Sequence, residues 1–504
     1  MEAKSKENFV LSHDAAINRR DFLGGLFASA GLGFLGGCRV FTAPAGWRAS
    51  GRPNLVFGVL SDIHVRLWRS GAKLDYNYDT TMFRKALEYF RSRNVDAVVI
   101  AGDMADRGLV DELEYLAKDW FEVFPDGCGV EKIFVFGNHD LDGHTYDRGS
   151  LAKSAFPDEQ VRAQHLLSTD MKRNWERIFH EKTDSVFMKT VKGYRFIGQH
   201  WDRHDACEAG DYGSLLKPFL DEHADELRNG RPFFYVQHPH LANTVFGPWA
   251  WGHDDGRATE ALFAYPNAVA FSGHSHFSET DERAIWQGGF TSLCCSSLRY
   301  TGLVDCLRGD VKPDYENGFQ GGEGAVMKRY ESDDGQQGLL VNVYDGGIVY
   351  ERRDFRSGEK LGPDWVQPFG ERDVFAFEPR KARETAPEFP PDVRFFVEKT
   401  EAKKRGKGRQ KMQKAVELTF TAANAAPTRP YGYRVTVEGD GSAPALVRYV
   451  LAEGYHLPPE SERARNESFI VLAEAVLPAG KRRKVTIEPF SSFGNFGKPV
   501  STVL

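Results

Sequence analysis

Apolar residues fall along this chain in two rhythms. Leu55–Leu60 is an unbroken apolar run, the pattern of a strand covered on both faces. Asp79 is placed to cap a helix running to Arg93, with Phe83, Leu87 and Phe90 on one face. A second run at residues 97–101 reads as a strand, Leu109, Leu113, Leu116 and Trp120 repeat at helical spacing, and residues 133–136 return to the strand pattern. Residues 186–190 and 194–197 flank Lys192-Gly193 as a hairpin, and residues 233–236 and 268–271 are further buried strands. Residues 339–344 and 348–352, split by Asp345-Gly346-Gly347, make a closing hairpin. Strands alternating with helices predict an α/β sandwich.

Downstream the texture changes. Residues 358–390 are rich in Pro, Gly and charge and read as a linker. Short β-branched and aromatic runs follow at residues 393–397, 416–421, 433–437, 469–473 and 484–488, with no helical pattern between them. A small all-β sandwich of about 110 residues, Ig-like or fibronectin-like, fits residues 391–504. The expected organisation is a segment 1–38, a linker 39–53, an α/β domain 54–357, a linker 358–390 and a β domain 391–504.

Composition sharpens this division. The 504 residues are 41% apolar and 27% charged, which excludes a disordered or fibrous chain. No apolar stretch reaches the roughly 20 residues of a spanning helix. Net charge is −6, yet residues 391–504 carry 19 Lys/Arg against 12 Asp/Glu, a net of +7, so the remainder holds −13. Lys399, Lys403, Lys404, Arg405, Lys407, Arg409, Lys411 and Lys414 crowd together, and Lys481, Arg482, Arg483 and Lys484 form a second cluster. Such clusters are either solvated hairpin tips or attract anionic lipid or polymer. Neither contains an aromatic residue, so no specific nucleic-acid binding is expected. The cysteines Cys38, Cys128, Cys207, Cys294, Cys295 and Cys306 are scattered, without metal-knuckle spacing, and buried thiols are expected.

Residues 1–38 read as an address. Arg19-Arg20 precede a Gly-rich apolar segment, Phe22 to Gly37, which closes on Leu35-Gly36-Gly37-Cys38. This resembles a twin-arginine export signal ending in a lipoprotein box. The resemblance implies export to the periplasmic or envelope side with a lipid on Cys38; a plain twin-arginine signal, with Cys38 incidental, is the alternative.

The chemistry sits at predicted strand ends. Asp62-Ile63-His64, Gly102-Asp103-Met104-Ala105-Asp106-Arg107-Gly108, Gly137-Asn138-His139-Asp140, His238-Pro239-His240 and Gly273-His274-Ser275-His276 each follow an apolar run. Ligands of open α/β sheets bind beyond the carboxyl ends of strands. Carboxylate, imidazole and carboxamide without thiolate suit Mn, Fe or Zn. Singly, each residue is as readily a turn, cap or core residue; the ordered set is what points to a metal site.

In this order the motifs resemble the calcineurin-like metallophosphoesterases, over about residues 55–355. The resemblance implies a four-layer αββα core with two divalent metals. Asp62, His64 and His276 would hold the first; Asn138, His238 and His274 the second; Asp103 would bridge. His139 would be an unligated general acid, oriented by Asp106 or Asp140, and Arg107 either balances phosphoryl charge or is a surface ion-pair partner. Pro239 directly follows His238, a departure from the family pattern that leaves His240 as an alternative donor. Trp201, Trp249 and Trp251 either line a substrate pocket or pack internally. The tyrosine of purple acid phosphatases is replaced by Asp106, and the arginine of protein phosphatases by Phe136, which disfavours phosphoproteins as substrates. The implied reaction is hydrolysis of a phosphate mono- or diester by a metal-bridged hydroxide. The rival is a surface lipoprotein that binds polyanions, its metal site only structural.

Overall fold

The computed structural model describes residues 46–504, apart from residues 66, 71–74, 79, 142–164, 202–211, 248–251, 304–318, 322–324, 328–329, 333, 405–410, 427, 442–443 and 462–466. Arg19, Arg20, Cys38, Asp79, Cys207, Trp249, Trp251, Cys306, Arg405, Lys407 and Arg409 lie outside the described residues, as do the side chains of Lys403, Lys404 and Lys411. No described helix is long and apolar enough to cross a membrane.

Two six-stranded sheets carry the first part of the chain. The first runs Trp365–Pro368, Gly347–Asp354, Gln337–Tyr344, Leu55–Leu60, Ala97–Ala101, Glu131–Val135; its last three strands are parallel. The second runs Ile285–Gln287, Thr291–Cys294, Ala268–Ser272, Phe233–Val236, Tyr194–Gln199, Val186–Val191; its four middle strands are parallel. Alternation explains the unbroken apolar runs. Ala97, Val99 and Ala101 belong to one apolar core, and Val98 and Ile100 to the other. Phe57 of the first sheet meets Phe196, Phe234 and Phe271 of the second, with ring centroids 5.1, 4.7 and 5.8 Å away. On the other face, the helix Thr81–Ser92 buries Phe83, Ala86, Leu87 and Phe90, and the helix Val110–Val123 buries Leu113, Leu116 and Trp120. Parallel strands end on one side, so the loops after residues 60, 101, 135, 236 and 272 gather there.

The expected linker differs. Within residues 358–390 lie an edge strand, Trp365–Pro368, and a helix, Phe377–Arg383. Trp365 is buried, with the Arg352 guanidinium 4.2 Å from its ring centroid and its Nε1 donating to Glu282 at 3.0 Å. Pro368 is tolerated because the strand is an edge, and the surrounding Pro and Gly masked it in the sequence.

Residues 395–503 form two antiparallel sheets. One contains Phe395–Lys404, Lys411–Thr421 and Glu467–Ala473; the other Leu446–Leu451, Gly432–Gly439, Arg483–Phe490 and Val500–Val503. The strands Leu446–Leu451 and Val500–Val503 were not expected; Leu446–Leu451 is half-buried throughout, and Val500–Val503 is only four residues long. Leu418, Phe420, Tyr433, Val435 and Ile487 are continuous with the apolar core between the two larger sheets. Lys399, Lys414, Lys481 and Arg482 are exposed, whereas Arg483 Nε donates to the Pro478 carbonyl at 2.7 Å. Cys294 and Cys295 are buried free thiols, and Cys128 is an exposed one.

Candidate metal centre

Six of the expected ligands converge in two triads. Asp62, His64 and His276 form one; Asp103, His238 and His274 form the other; within each, the donor atoms lie within 4.8 Å of one another. His276 Nε2 is 3.0 Å from Asp62 Oδ1 and 3.2 Å from His64 Nε2. His238 Nε2 is 3.1 Å from Asp103 Oδ2 and 3.2 Å from His274 Nδ1. Asp103 Oδ2 also lies 3.7 Å from His64 Nε2, so this carboxylate stands between the triads. Asn138 is buried at the start of the helical turn 138–141, which His139 N ties to Asp103 Oδ1 at 2.9 Å.

The backbone bends hard to achieve this. Asp62, His64, Asp103, His274 and His276 all have positive φ, between 46° and 70°. Left-handed geometry in such residues costs of order 1–3 kcal/mol each and persists only where the surroundings enforce it. The carboxylates are packed against bare backbone. A β-carbon on Gly137 would lie 2.1 Å from Asp103 Oδ1, and one on Gly273 would lie 2.4 Å from Asp62 Oδ2. The His274 N–H donates to Asp62 Oδ2 at 2.9 Å, fixing the first carboxylate to the loop that carries His274 and His276.

Three imidazoles are aimed from behind. His238 Nδ1 lies 2.7 Å from the Ala101 carbonyl, and His276 Nδ1 lies 3.1 Å from the Tyr300 carbonyl. A carbonyl only accepts, so each Nδ1 carries the hydrogen and Nε2 presents a lone pair to the site. His64 Nδ1 meets the Asp106 carboxylate at 3.2 Å, to the same effect. This outer arrangement is the one that orients metal-binding histidines. Every Nε2 therefore faces carboxylate oxygens, an electron-rich array that requires protons or cations.

Without a metal, protons take that place. Burial opposes charge on His64, but Asp106, Asp62 and Asp103 push it up to about 10. Burial likewise opposes charge on His238, and Asp103 raises it to about 9. Burial raises Asp62 and Asp103, yet the facing imidazoles, His276 for Asp62 and His238 for Asp103, hold both well below the usual carboxylate range. Burial and the neighbouring His238 push His274 down to about 3. The donor set, its tautomers and its excess of negative charge fit two divalent cations.

Other expected residues take different tasks. The Asp106 carboxylate serves His64, while the His139 Nδ1 meets the Asp106 backbone carbonyl at 2.9 Å. Asp140 does not orient His139 through its carboxylate; it accepts from Ala105 N at 2.7 Å and Gly137 N at 2.8 Å, clamping two loops together. Burial and the nearby Asp103 raise Asp140 to about 7. The Arg107 guanidinium lies 3.3 Å from Asp106 Oδ2 and is about one-quarter exposed, at 26%. His240 is engaged by Ser272 and Ser275 hydroxyls at 2.7 and 2.5 Å, so it supports the loop rather than replacing His238. Trp201 is buried, its ring 6.0 and 5.9 Å from His238 and His274. Sequence reasoning passed over Tyr300, whose ring centroid is 4.2 Å from that of His276. It directly precedes the short strand Thr301–Leu303, which no sequence pattern marked.

Residues 55–278 match the family model described as Calcineurin-like phosphoesterase. Similar solved structures include a dimetal phosphatase from Danio rerio, 11% identical, covering 63% of this chain and 100% of that one at a TM-score of 0.37. A purple acid phosphatase from yellow lupin (Lupinus luteus) seeds is 12% identical, covering 65% of this chain and 57% of that one, also at 0.37. A 5'-nucleotidase precursor from Thermus thermophilus is 13% identical, covering 64% and 55% at 0.28. Likeness at this level decides nothing about substrate. No curated protein matches the sequence.

Metal uptake should depend on pH in a defined sense. His64 and His238 are raised, so near neutral pH each carries a proton that a metal must displace. Apparent affinity should climb as pH rises toward these values and fall as pH drops, by about tenfold per pH unit for each proton displaced. Calorimetric metal titrations at about pH 6 and about pH 8 check this; pH-independent affinity would contradict it.

Proposed function

We propose that this protein is an exported metallophosphoesterase that hydrolyses a phosphate mono- or diester at the Asp62–Asp103 centre. What carries the reading is the juxtaposition of two imidazole–carboxylate triads on loops of the span that matches the phosphoesterase family model. Two divalent ions held there, by Asp62, His64 and His276 and by Asn138, His238 and His274, with Asp103 between, would draw a nucleophile from water near neutral pH and offset phosphoryl charge. Mn, Fe and Zn all suit these donors.

The remaining steps fall to the chain itself. Because His139 Nδ1 carries the hydrogen directed at the Asp106 carbonyl, Nε2 is the atom that exchanges a proton. Burial lowers the His139 pKa, with Asp103 opposing, which makes its imidazolium a stronger acid toward a departing alkoxide. To Arg107, partly exposed and ion-paired with Asp106, this reading gives the task of balancing phosphoryl charge. No Ser or Cys nucleophile is required.

The same reading takes Arg19-Arg20 as routing the chain out of the cytoplasm and Cys38 as the lipid-bearing residue, on the strength of the sequence pattern. The basic residues Lys399, Lys403, Lys404, Arg405, Lys481, Arg482 and Arg483 then draw the protein toward anionic lipid or polymer at the envelope.

Two tests separate these parts. The metal-loaded protein should hydrolyse bis-p-nitrophenyl phosphate or p-nitrophenyl phosphate. In His139→Ala, turnover of alkyl phosphates should fall about 10²–10⁴-fold, while p-nitrophenyl esters lose at least about tenfold less, a difference of about 1.4 kcal/mol or more. An equal loss on both substrate types would remove His139 as the acid. For the anchor, labelled fatty acid should attach to the wild type and not to Cys38→Ser, which should be recovered in the soluble fraction; an unlabelled wild type would end the lipoprotein reading.

A further inference from the structure

A buried amide joins the turn at His456, between the strands Leu446–Leu451 and Glu467–Ala473, to the surroundings of the first triad. Gln337 is fully buried at the start of the strand that pairs with Leu55–Leu60. Its Nε2 donates to the backbone carbonyl of His456 at 2.6 Å. That carbonyl can only accept, so the amide orientation is set and Oε1 faces the other way. There Oε1 accepts from Ser278 Oγ at 3.1 Å, Glu279 N at 2.8 Å and Ser296 Oγ at 3.0 Å. Its own backbone N–H donates to the Ser297 carbonyl at 2.9 Å.

Each partner is one or two steps from the first triad. Ser278 lies two residues after His276, whose positive φ of 57° needs external enforcement. Ser297, next to Ser296, donates its hydroxyl to the Asp62 carbonyl at 3.0 Å. The opposite side of the His276 segment is held by Gly302 N, which donates to the His276 carbonyl at 2.7 Å. A second link runs in parallel. Arg283, paired with Asp281 at 2.7 Å, has its guanidinium 4.9 Å from the ring centroid of Tyr431 in the C-terminal part. His456 is itself fully buried, its imidazole 2.5 Å from Asp334.

We infer that Gln337 is a positioning residue for the Asp62–His64–His276 triad, and that the C-terminal sheets are a structural part of the metal centre. The inference rests on the proposed metallophosphoesterase reading and deepens it. Gln337 acts on the ligands through Ser278 and Ser296–Ser297, and the His456 carbonyl fixes the amide in the orientation that this requires. Residues outside the ligand shell that orient it are typically worth 10–100-fold in metal affinity or activity.

The test uses full-length protein titrated with Mn²⁺, following the electron paramagnetic resonance of a coupled ion pair against that of isolated ions, together with kcat and KM on bis-p-nitrophenyl phosphate. Gln337→Met keeps the volume and removes every side-chain hydrogen bond. It should weaken one Mn²⁺ site about 10–100-fold, replace the coupled spectrum by that of isolated Mn²⁺ at limiting metal, and lower kcat more than it changes KM. Should Gln337→Met not fold, the pair Ser278→Ala and Ser296→Ala decides, with the same spectroscopic change expected at about tenfold. A coupled spectrum and a kcat both equal to wild type, in whichever variant folds, would overturn the inference while leaving the enzyme reading intact. A wild type that takes up no Mn²⁺ and turns over no ester would overturn both.

Discussion

Two buried carboxylates, Asp62 and Asp103, govern this structure. Leaving a charge in the interior without compensation costs several kcal/mol, and here the two acids share one small volume. The chain meets this by ringing them with imidazole nitrogens and backbone N–H groups. Asp62 Oδ2 takes the His274 N–H, Asp103 Oδ1 takes the His139 N–H, and the outward oxygens face Nε2 atoms. Backbone carbonyls take the Nδ1 hydrogens of His238 and His276, and without a metal the Nε2 atoms of His64 and His238 carry the protons that offset these charges. A divalent ion can take the place of those protons, and five positive-φ residues meet at the same spot.

The same constraint bears on the parts of the fold outside the two larger sheets. Parallel strands deliver the loops to one side, but loop ends are where backbone is least determined. The structure adds determination from outside: Asp140 ties the loops after residues 101 and 135, His240 ties those after residues 236 and 272, and Gln337 ties the His276 segment to the C-terminal sheets. Phe57 and Tyr433 belong to one continuous apolar core, so the last of these ties joins parts that also share buried apolar contacts.

What was legible in the sequence followed from periodicity. Buried strands appear as unbroken apolar runs, so their ends, and the polar clusters just beyond them, could be located without coordinates. That brought out the five polar clusters; their grouping into two ligand sets came from the family resemblance. Partner choice was not legible, because it depends on distances across loops. Asp106 and His139 are three residues from Asp103 and one from Asn138, yet the Asp106 carboxylate turns to His64 and only its carbonyl reaches His139. His240 could not be told from His238 until Ser272 and Ser275 were seen to occupy both its nitrogens. The edge strand Trp365–Pro368 was hidden by proline and glycine, and the role of Gln337 by its separation of 119 residues from His456.

The central claim is that the two triads are two metal sites. Anomalous diffraction from crystals of the protein loaded with Zn²⁺ or Mn²⁺ measures this directly. The account predicts two peaks about 3.5–4 Å apart, one among Asp62, His64 and His276 and one among Asn138, His238 and His274, with Asp103 touching both. A single peak, or metal bound anywhere other than between these side chains, would contradict it.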